Sequence, residues 1–466
     1  MKQGLLASYY AGIVDTHHGA TYWRIIRYFL PEFVTSFVIF ALPFWIDSYF
    51  ISFLKSTPAY AAQGTINNTL HMLFKIAEAF SIGAVILVGN YNGLQDFKKA
   101  GKIFKDTFWI TIFFGLIFAT LLYFTAEISL VWLNASPEIV ALGIPFWRLR
   151  AIGVFFTFVY LAFIGFLRAI KNTRVPMYVF VIGALVFVFF DYSLLFGHFG
   201  FPEIGFNGSA WASLIQSICM TIAAACFVLC NKEYRHFSID LFSGVTKLSY
   251  VKELFFIIWP VAIDKATLAF AYIWLNKMIN TMGTCSTASF CAIKDLERFA
   301  FLPAIALAQI ITFLVSNDHG IHNWAGIKSN IKKVVFLASI MVFSILALFS
   351  LYPQTLMKIF DKSGDFTDLT ARIFPILSVL VFFDLIQLIL SGALRGVGDV
   401  KVVMWTRLAV CIGYFVPVSF FITLLPMRDL GLKFLLIYGS FYIGNGLMSI
   451  VYIRRLRGSK WQQQEL

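Results

Sequence analysis

The stretch Leu167-Arg168-Ala169-Ile170-Lys171-Asn172-Thr173-Arg174-Val175-Pro176-Met177 has a partner in Leu394-Arg395-Gly396-Val397-Gly398-Asp399-Val400-Lys401-Val402-Val403-Met404, with Leu-Arg and Met recurring at a spacing of 227 residues. Asn90-Tyr91-Asn92-Gly93 and Asn317-Asp318-His319-Gly320 stand the same distance apart. Pro31 with Trp45-Ile46-Asp47 answers Pro260 with Trp274-Leu275-Asn276 at 229. Most of the 466-residue chain therefore reads as one module written twice.

With 59% hydrophobic and 13% charged residues and a mean hydropathy of +0.80, the chain has too little polar surface for a water-soluble globule. A span needs about 20 mainly apolar residues. Twelve stretches qualify, at 29–53, 66–90, 106–131, 139–168, 176–197, 208–230, 252–281, 287–316, 331–357, 369–394, 402–425 and 432–453. Polar, Gly and Pro residues mark the breaks, as in Lys171-Asn-Thr-Arg-Val-Pro176 and Leu425-Pro-Met-Arg-Asp429.

The formal charge of +13 suggests a nucleic-acid partner until its placement is considered. Lys98, Lys99, Lys102 and Lys105, then Arg168, Lys171 and Arg174, then Lys328, Lys332 and Lys333, then Arg395 and Lys401, then Arg454, Arg455 and Arg457 fall in alternate connectors. The opposite connectors carry few cations, notably Lys55, Lys362 and Arg428. That asymmetry puts both termini in the cytoplasm of a multi-pass protein of the cell membrane. Membrane lipids, and no nucleic acid, are the expected macromolecular surroundings. The first 25 residues hold no apolar core ahead of a small-residue cleavage site, so the first span is expected to stay as an anchor. The six cysteines form no CxxC pair and read as small apolar packing residues.

Six spans per copy is an even number, so both copies enter the bilayer from the same side. The expected fold is an all-α integral membrane protein of twelve transmembrane helices, in two six-helix lobes related by a pseudo-two-fold axis along the membrane normal. Residues 1–231 form the first lobe, 232–250 a cytoplasmic linker, and 251–466 the second lobe. A cleft between such lobes is where substrate is expected.

An ionisable side chain at the bilayer centre costs about 2.5–3.5 kcal/mol on insertion scales, so each one needs a partner, a wet cavity or a task. Asp47 lies late in the first span and Asp191 follows an apolar run in the fifth. Each reads either as a helix-end acceptor or as an acid exchanging a cation. Asp47 answers Asn276, which keeps the shape without the charge. His71, Lys75 and Glu78 share one face of the second span, as a self-satisfied stripe or as part of a cargo or proton path. Asp264 and Lys265 point in different directions from the seventh span. Lys294-Asp295-Leu296-Glu297-Arg298 opens the eighth and reads as interfacial. Asp384 and Gln387 lie one turn apart within the tenth and form a second-lobe candidate pair. No HExxH, GxSxG or Walker motif occurs, so neither an enzyme nor direct ATP use is expected.

The order and spacing of Pro31 and Asp47, Gly89-Asn-Tyr-Asn-Gly93, Phe166-Leu-Arg168 through Pro176-Met177 to Asp191, Gly208-Ser-Ala-Trp-Ala-Ser213, Asp384-Leu-Ile-Gln387 and Gly392-Ala-Leu-Arg-Gly-Val-Gly-Asp399 resemble the multidrug and toxic compound extrusion (MATE) family, within the multidrug, oligosaccharide-lipid and polysaccharide exporters. The resemblance covers nearly the whole chain. It implies proton or sodium binding in the first lobe at positions matching Asp47, Asp191, Phe187 and Ser213. Phe187 departs from the family's Asn and cannot hold a cation, which favours protons over a sodium ion beside Asp47 and Asp191. Asp264 and Asp384 are the second-lobe positions nearest to acids found in some relatives. The implied function is a cofactor-free, monomeric, H+- or Na+-coupled antiporter exporting amphipathic organic cations. The cargo-cleft candidates are His71, Lys75, Glu78 and Lys265; the alternative function is a flippase for lipid-linked or anionic cargo, for which Lys75, Lys265 and Arg298 would line the cleft.

Overall fold

The computed structural model describes residues 12–15, 18–40, 46–47, 49–51, 53–54, 56–132, 137–241, 248–360 and 367–463. Among them the fold is all-helical. The helices are α1 (Tyr22–Phe40), α2 (Thr57–Gly93), α3 (Phe97–Phe124), α4 (Ala126–Trp132), α5 (Pro137–Ala169), α6 (Arg174–Phe196) and α7 (Phe206–Leu229), followed by α8 (Leu248–Asn280), α9 (Thr284–Gly320), α10 (Trp324–Leu351), α11 (Pro353–Phe360), α12 (Thr367–Gly396), α13 (Val400–Val410), α14 (Val416–Leu424) and α15 (Leu430–Arg457). A π-helical turn at Cys411–Phe415 joins α13 to α14. Ten helical segments among the described residues are long and apolar enough to cross a membrane. Of the first expected span, residues 41–45, 48 and 52 lie outside the described residues.

The chain divides into two compact units, Leu30–Trp259 and Pro260–Leu466 with Met1–Phe29. Both divisions fall at the repeated proline. Pro31 lies inside α1 and Pro260 inside α8, where the ring removes one ladder hydrogen bond and crowds the preceding turn.

Duplication is visible in the backbone of each unit. The left-handed residues Gln95 (φ 61°) and His322 (φ 56°) occupy equivalent turns, as do Lys171 (φ 64°) and Gly398 (φ 82°). Asp96 caps α3 by accepting from the Lys99 N–H at 3.1 Å, and Asn323 caps α10 by accepting from Gly326 at 3.0 Å. Glycine sets the closest helix crossings. A Cβ on Gly165 of α5 would lie 2.8 Å from the Ser81 carbonyl oxygen of α2, and one on Gly392 of α12 would lie 2.9 Å from the Ala308 carbonyl oxygen of α9. Only a residue without a side chain lets backbones approach this closely.

Each unit is also closed by a short 3-10 segment. Lys232–Phe237 lies on α3 so closely that a Cβ on Gly101 would clash with the Phe237 carbonyl oxygen. Asn172 donates to the Tyr234 hydroxyl at 2.6 Å, and burial raises the pKa of that phenol. Tyr234 corresponds, at the 227 spacing, to Trp461 in Lys460–Gln463, which is fully buried and packs edge-on against Trp324. The N-terminal segment packs on α10, where Asn330 Oδ1 accepts from the Ala20 N–H at 2.7 Å and Lys333 Nζ donates to the carbonyls of His18 and Ala20.

Candidate functional site

The first unit gathers its buried charges around Asp47. Its side chain accepts from Asn67 Nδ2 of α2 at 3.1 Å, from an Arg150 terminal nitrogen of α5 at 3.1 Å, and from Ser209 Oγ of α7 at 2.5 Å. These three donors compensate for its removal from solvent. Asp191 of α6 is also fully buried, but neither of its carboxyl oxygens has a hydrogen-bond partner. Ser209 lies within reach of both acids and gives its proton to Asp47. Asp47 and Arg150 are the charges acting on Asp191.

Ser213 is one turn beyond Ser209, buried and with an unpartnered hydroxyl. Phe187 is one turn before Asp191 and buried, and it offers no polar ligand. The Arg150 guanidinium also lies 5.4 Å from the Phe146 ring, which stacks on Phe206. On α2, Lys75 and Glu78 form a 3.5 Å pair; the His71 side chain lies outside the described residues. Elsewhere in the unit, Glu32 beside Pro31 bonds Arg168, and both are buried.

The second unit solves the same problem with more cations. Asp264 of α8 is buried between Arg395 of α12 and Arg407 of α13, each donating to one carboxylate oxygen. Arg395 is the repeat-mate of Arg168, so in each unit the repeated Leu-Arg arginine meets an acid near the repeated proline. Lys265 is half-buried. Asp384 accepts from Asn445 Nδ2 at 3.0 Å, and Gln387 is buried near Tyr452.

Glu297 is buried and accepts from the hydroxyls of Tyr438 and Tyr442. Lys294 lies 3.5 Å from Glu297, with its ammonium over the rings of Tyr272, Tyr438 and Phe441 at 4.4, 5.2 and 5.7 Å. Asp295 and Arg298 are exposed and 3.6 Å apart, whereas Glu297 does not fit the reading of 294–298 as an interfacial run. That residue turns inward to two phenols.

Sequence reasoning missed Glu32, Arg150, Ser209, Glu297 and Arg407 as site residues. Arg150 and Arg407 lie inside the spans drawn at 139–168 and 402–425, so the cost of intramembrane charge that singled out the acids also marks them. Arg168 and Arg395 carry a second correction. Counted as connector cations, both are buried on helices, because each is compensated by an acid.

Repeated helical bundles with, among the described residues, ten apolar helical segments long enough to cross a membrane, enclosing paired buried charges, define a multi-pass membrane protein. The MatE family profile matches residues 33–193 and 260–421, and the chain belongs to this family of MATE transporters. Among relatives, the chain is 24% identical over 346 residues to the probable multidrug resistance protein NorM of Thermotoga maritima, covering 74% of each chain. It is 21% identical over 407 residues to the probable multidrug resistance protein YoeA of Bacillus subtilis, covering 85% of this chain and 86% of that one. A solved outward-facing multidrug resistance MATE transporter of the MOP superfamily shares the fold at a TM-score of 0.84 and 17% identity, over 93% of this chain and 94% of that one. A MOP superfamily transporter from Pyrococcus furiosus, described as having a binding pocket of reverse polarity, matches at 0.82 and 17%, over the same shares.

Proposed function

We propose that the protein is a cation-coupled multidrug antiporter of the cell membrane, with both termini cytoplasmic. It exports amphipathic organic cations by alternating access, and protons rather than sodium drive the exchange. On this reading twelve spans form two lobes, 1–231 and 251–466, joined by 232–250, and the protein works as a monomer without cofactors. The observation that carries the reading is the pair of acids in one buried cluster, Asp47 with three donors and Asp191 with none. A buried carboxylate without a donor is the side chain that gains most from taking up a cation. A proton supplies the missing bond, whereas sodium prefers several oxygen ligands, and the buried Phe187 stands where the family resemblance puts an Asn. The multidrug names of NorM and YoeA support the cargo class.

The test is transport in proteoliposomes with proton and sodium gradients imposed separately. A proton gradient alone should drive export in the wild type, and Asp47→Asn should abolish it while leaving membrane insertion intact. Export driven by sodium alone, or full export by Asp47→Asn, would overturn the assignment. Movement of a lipid-linked or anionic cargo in the same vesicles would favour the flippase alternative.

A further inference from the structure

We propose that Arg150 is the resident cation of the Asp47–Asp191 pair, leaving it room for one exchangeable monovalent cation, on Asp191, where two bare carboxylates would take two. That this cation exchanges rests on the antiport reading; the charge count does not. Arg150 donates to Asp47 at 3.1 Å, and its guanidinium is held from the other side by Phe146. The charges acting on Arg150 are Asp47 and Asp191, and those acting on Asp191 are Asp47 and Arg150. The groups facing this set from the packed helices, Asn67 of α2 and Ser209 and Ser213 of α7, are neutral. Two carboxylates and one guanidinium leave a single negative charge, which one monovalent cation neutralises.

The repeat supports the same grouping. At the spacings that relate the two copies, Asp47 answers Asn276, Arg150 answers Leu377 and Asp191 answers Val418. All three charges are missing together from the second copy, as expected of groups that compensate one another. A guanidinium stays protonated across the working pH range, so it cannot itself be the carrier. Its charge instead decides how many cations the two acids take up.

The count can be read on purified full-length protein without cargo, by infrared difference spectroscopy of the C=O stretch of protonated carboxylic acids as pH is lowered from alkaline to neutral. Wild type should show one band, which Asp191→Asn removes. Asp47→Asn should also remove it, because Asp191 is then neutralised by Arg150. Arg150→Met should give about twice the wild-type amplitude, since two carboxyls must now be protonated. Asp47→Asn combined with Arg150→Met should restore a single band. Should Arg150→Met fail to fold, Asp47→Asn and the double variant still decide the matter.

Equal bands in wild type, Asp47→Asn and the double variant would overturn the proposal, as would an unchanged amplitude in Arg150→Met. Because no transport is measured, failure here is distinguishable from failure of the antiport reading, which the vesicle gradients test.

Discussion

Replacing Asp264 with Asn removes the anion that two buried arginines share. Asn keeps the volume, so no cavity forms and the change is electrostatic. Arg395 and Arg407 then remain inside the second unit, side chains 8% and 4% exposed, without the anion that bonded both, although Asp384 still acts on Arg407. Removing one partner of a buried pair costs about 3–5 kcal/mol, and with two cations stranded the upper part of that range is expected. The exposed Arg298–Asp295 pair, 3.6 Å apart, supplies the control, because Arg298→Ala should cost about 0–1 kcal/mol. Thermal unfolding in detergent, followed by loss of the monodisperse peak, should show a large fall in melting temperature for Asp264→Asn and little change for Arg298→Ala. Adding Arg395→Met and Arg407→Met should recover most of the loss, since apolar replacement of a whole buried ion cluster is often neutral or stabilising. A melting temperature for Asp264→Asn equal to that of the wild type would show that the two arginines do not depend on this carboxylate.

Other expectations follow from the closing segments and caps. Gly101→Ala forces the Lys232–Phe237 segment off α3, since the new Cβ would clash with the Phe237 carbonyl oxygen. Overpacking of this kind costs about 1–3 kcal/mol, and tryptic cleavage at Lys232 and Arg235 should accelerate. Trp461→Ala empties a fully buried site against Trp324 and should cost about 3–5 kcal/mol, seen as a lower melting temperature. Asp429 caps α15; the Leu432 N–H foremost, then the Gly431 N–H and Arg372, hold its pKa below the ordinary carboxylate value. A lowered folded-state pKa means that this stabilisation is present above the unfolded value and is lost as pH falls through the lowered one. Amide exchange at Gly431 and Leu432, corrected for intrinsic rates, should therefore rise relative to neighbouring amides at strongly acidic pH, and Asp429→Asn should flatten that response.

The repeat was legible because it is written in residues with fixed backbone tasks. Leu-Arg, Asn-Tyr-Asn-Gly and the two prolines mark turns and crossings that both copies need, and the left-handed pairs Gln95/His322 and Lys171/Gly398 fall where the spacing puts them. Asp47 and Asp191 stood out for a related reason: a carboxylate in an apolar run has few inexpensive explanations. Their partners were harder to see. Asn67, Arg150 and Ser209 come from three different helices, and helical periodicity within one segment says nothing about which faces meet across segments. Glu297 was missed for the opposite reason. Its sequence neighbours Asp295 and Arg298 are exposed, and a charged run read as a block hides the single member that turns inward to Tyr438 and Tyr442.

The proposed exchange depends on Asp191 carrying the exchangeable cation. It is tested most directly by comparing, for Asp191→Asn in proteoliposomes, cargo exchange at equal concentrations on both sides with uphill accumulation driven by a proton gradient. Exchange should continue while accumulation vanishes, because cargo still binds but the one remaining carboxylate, Asp47, is already compensated by Arg150. Accumulation at the wild-type level in Asp191→Asn would contradict it.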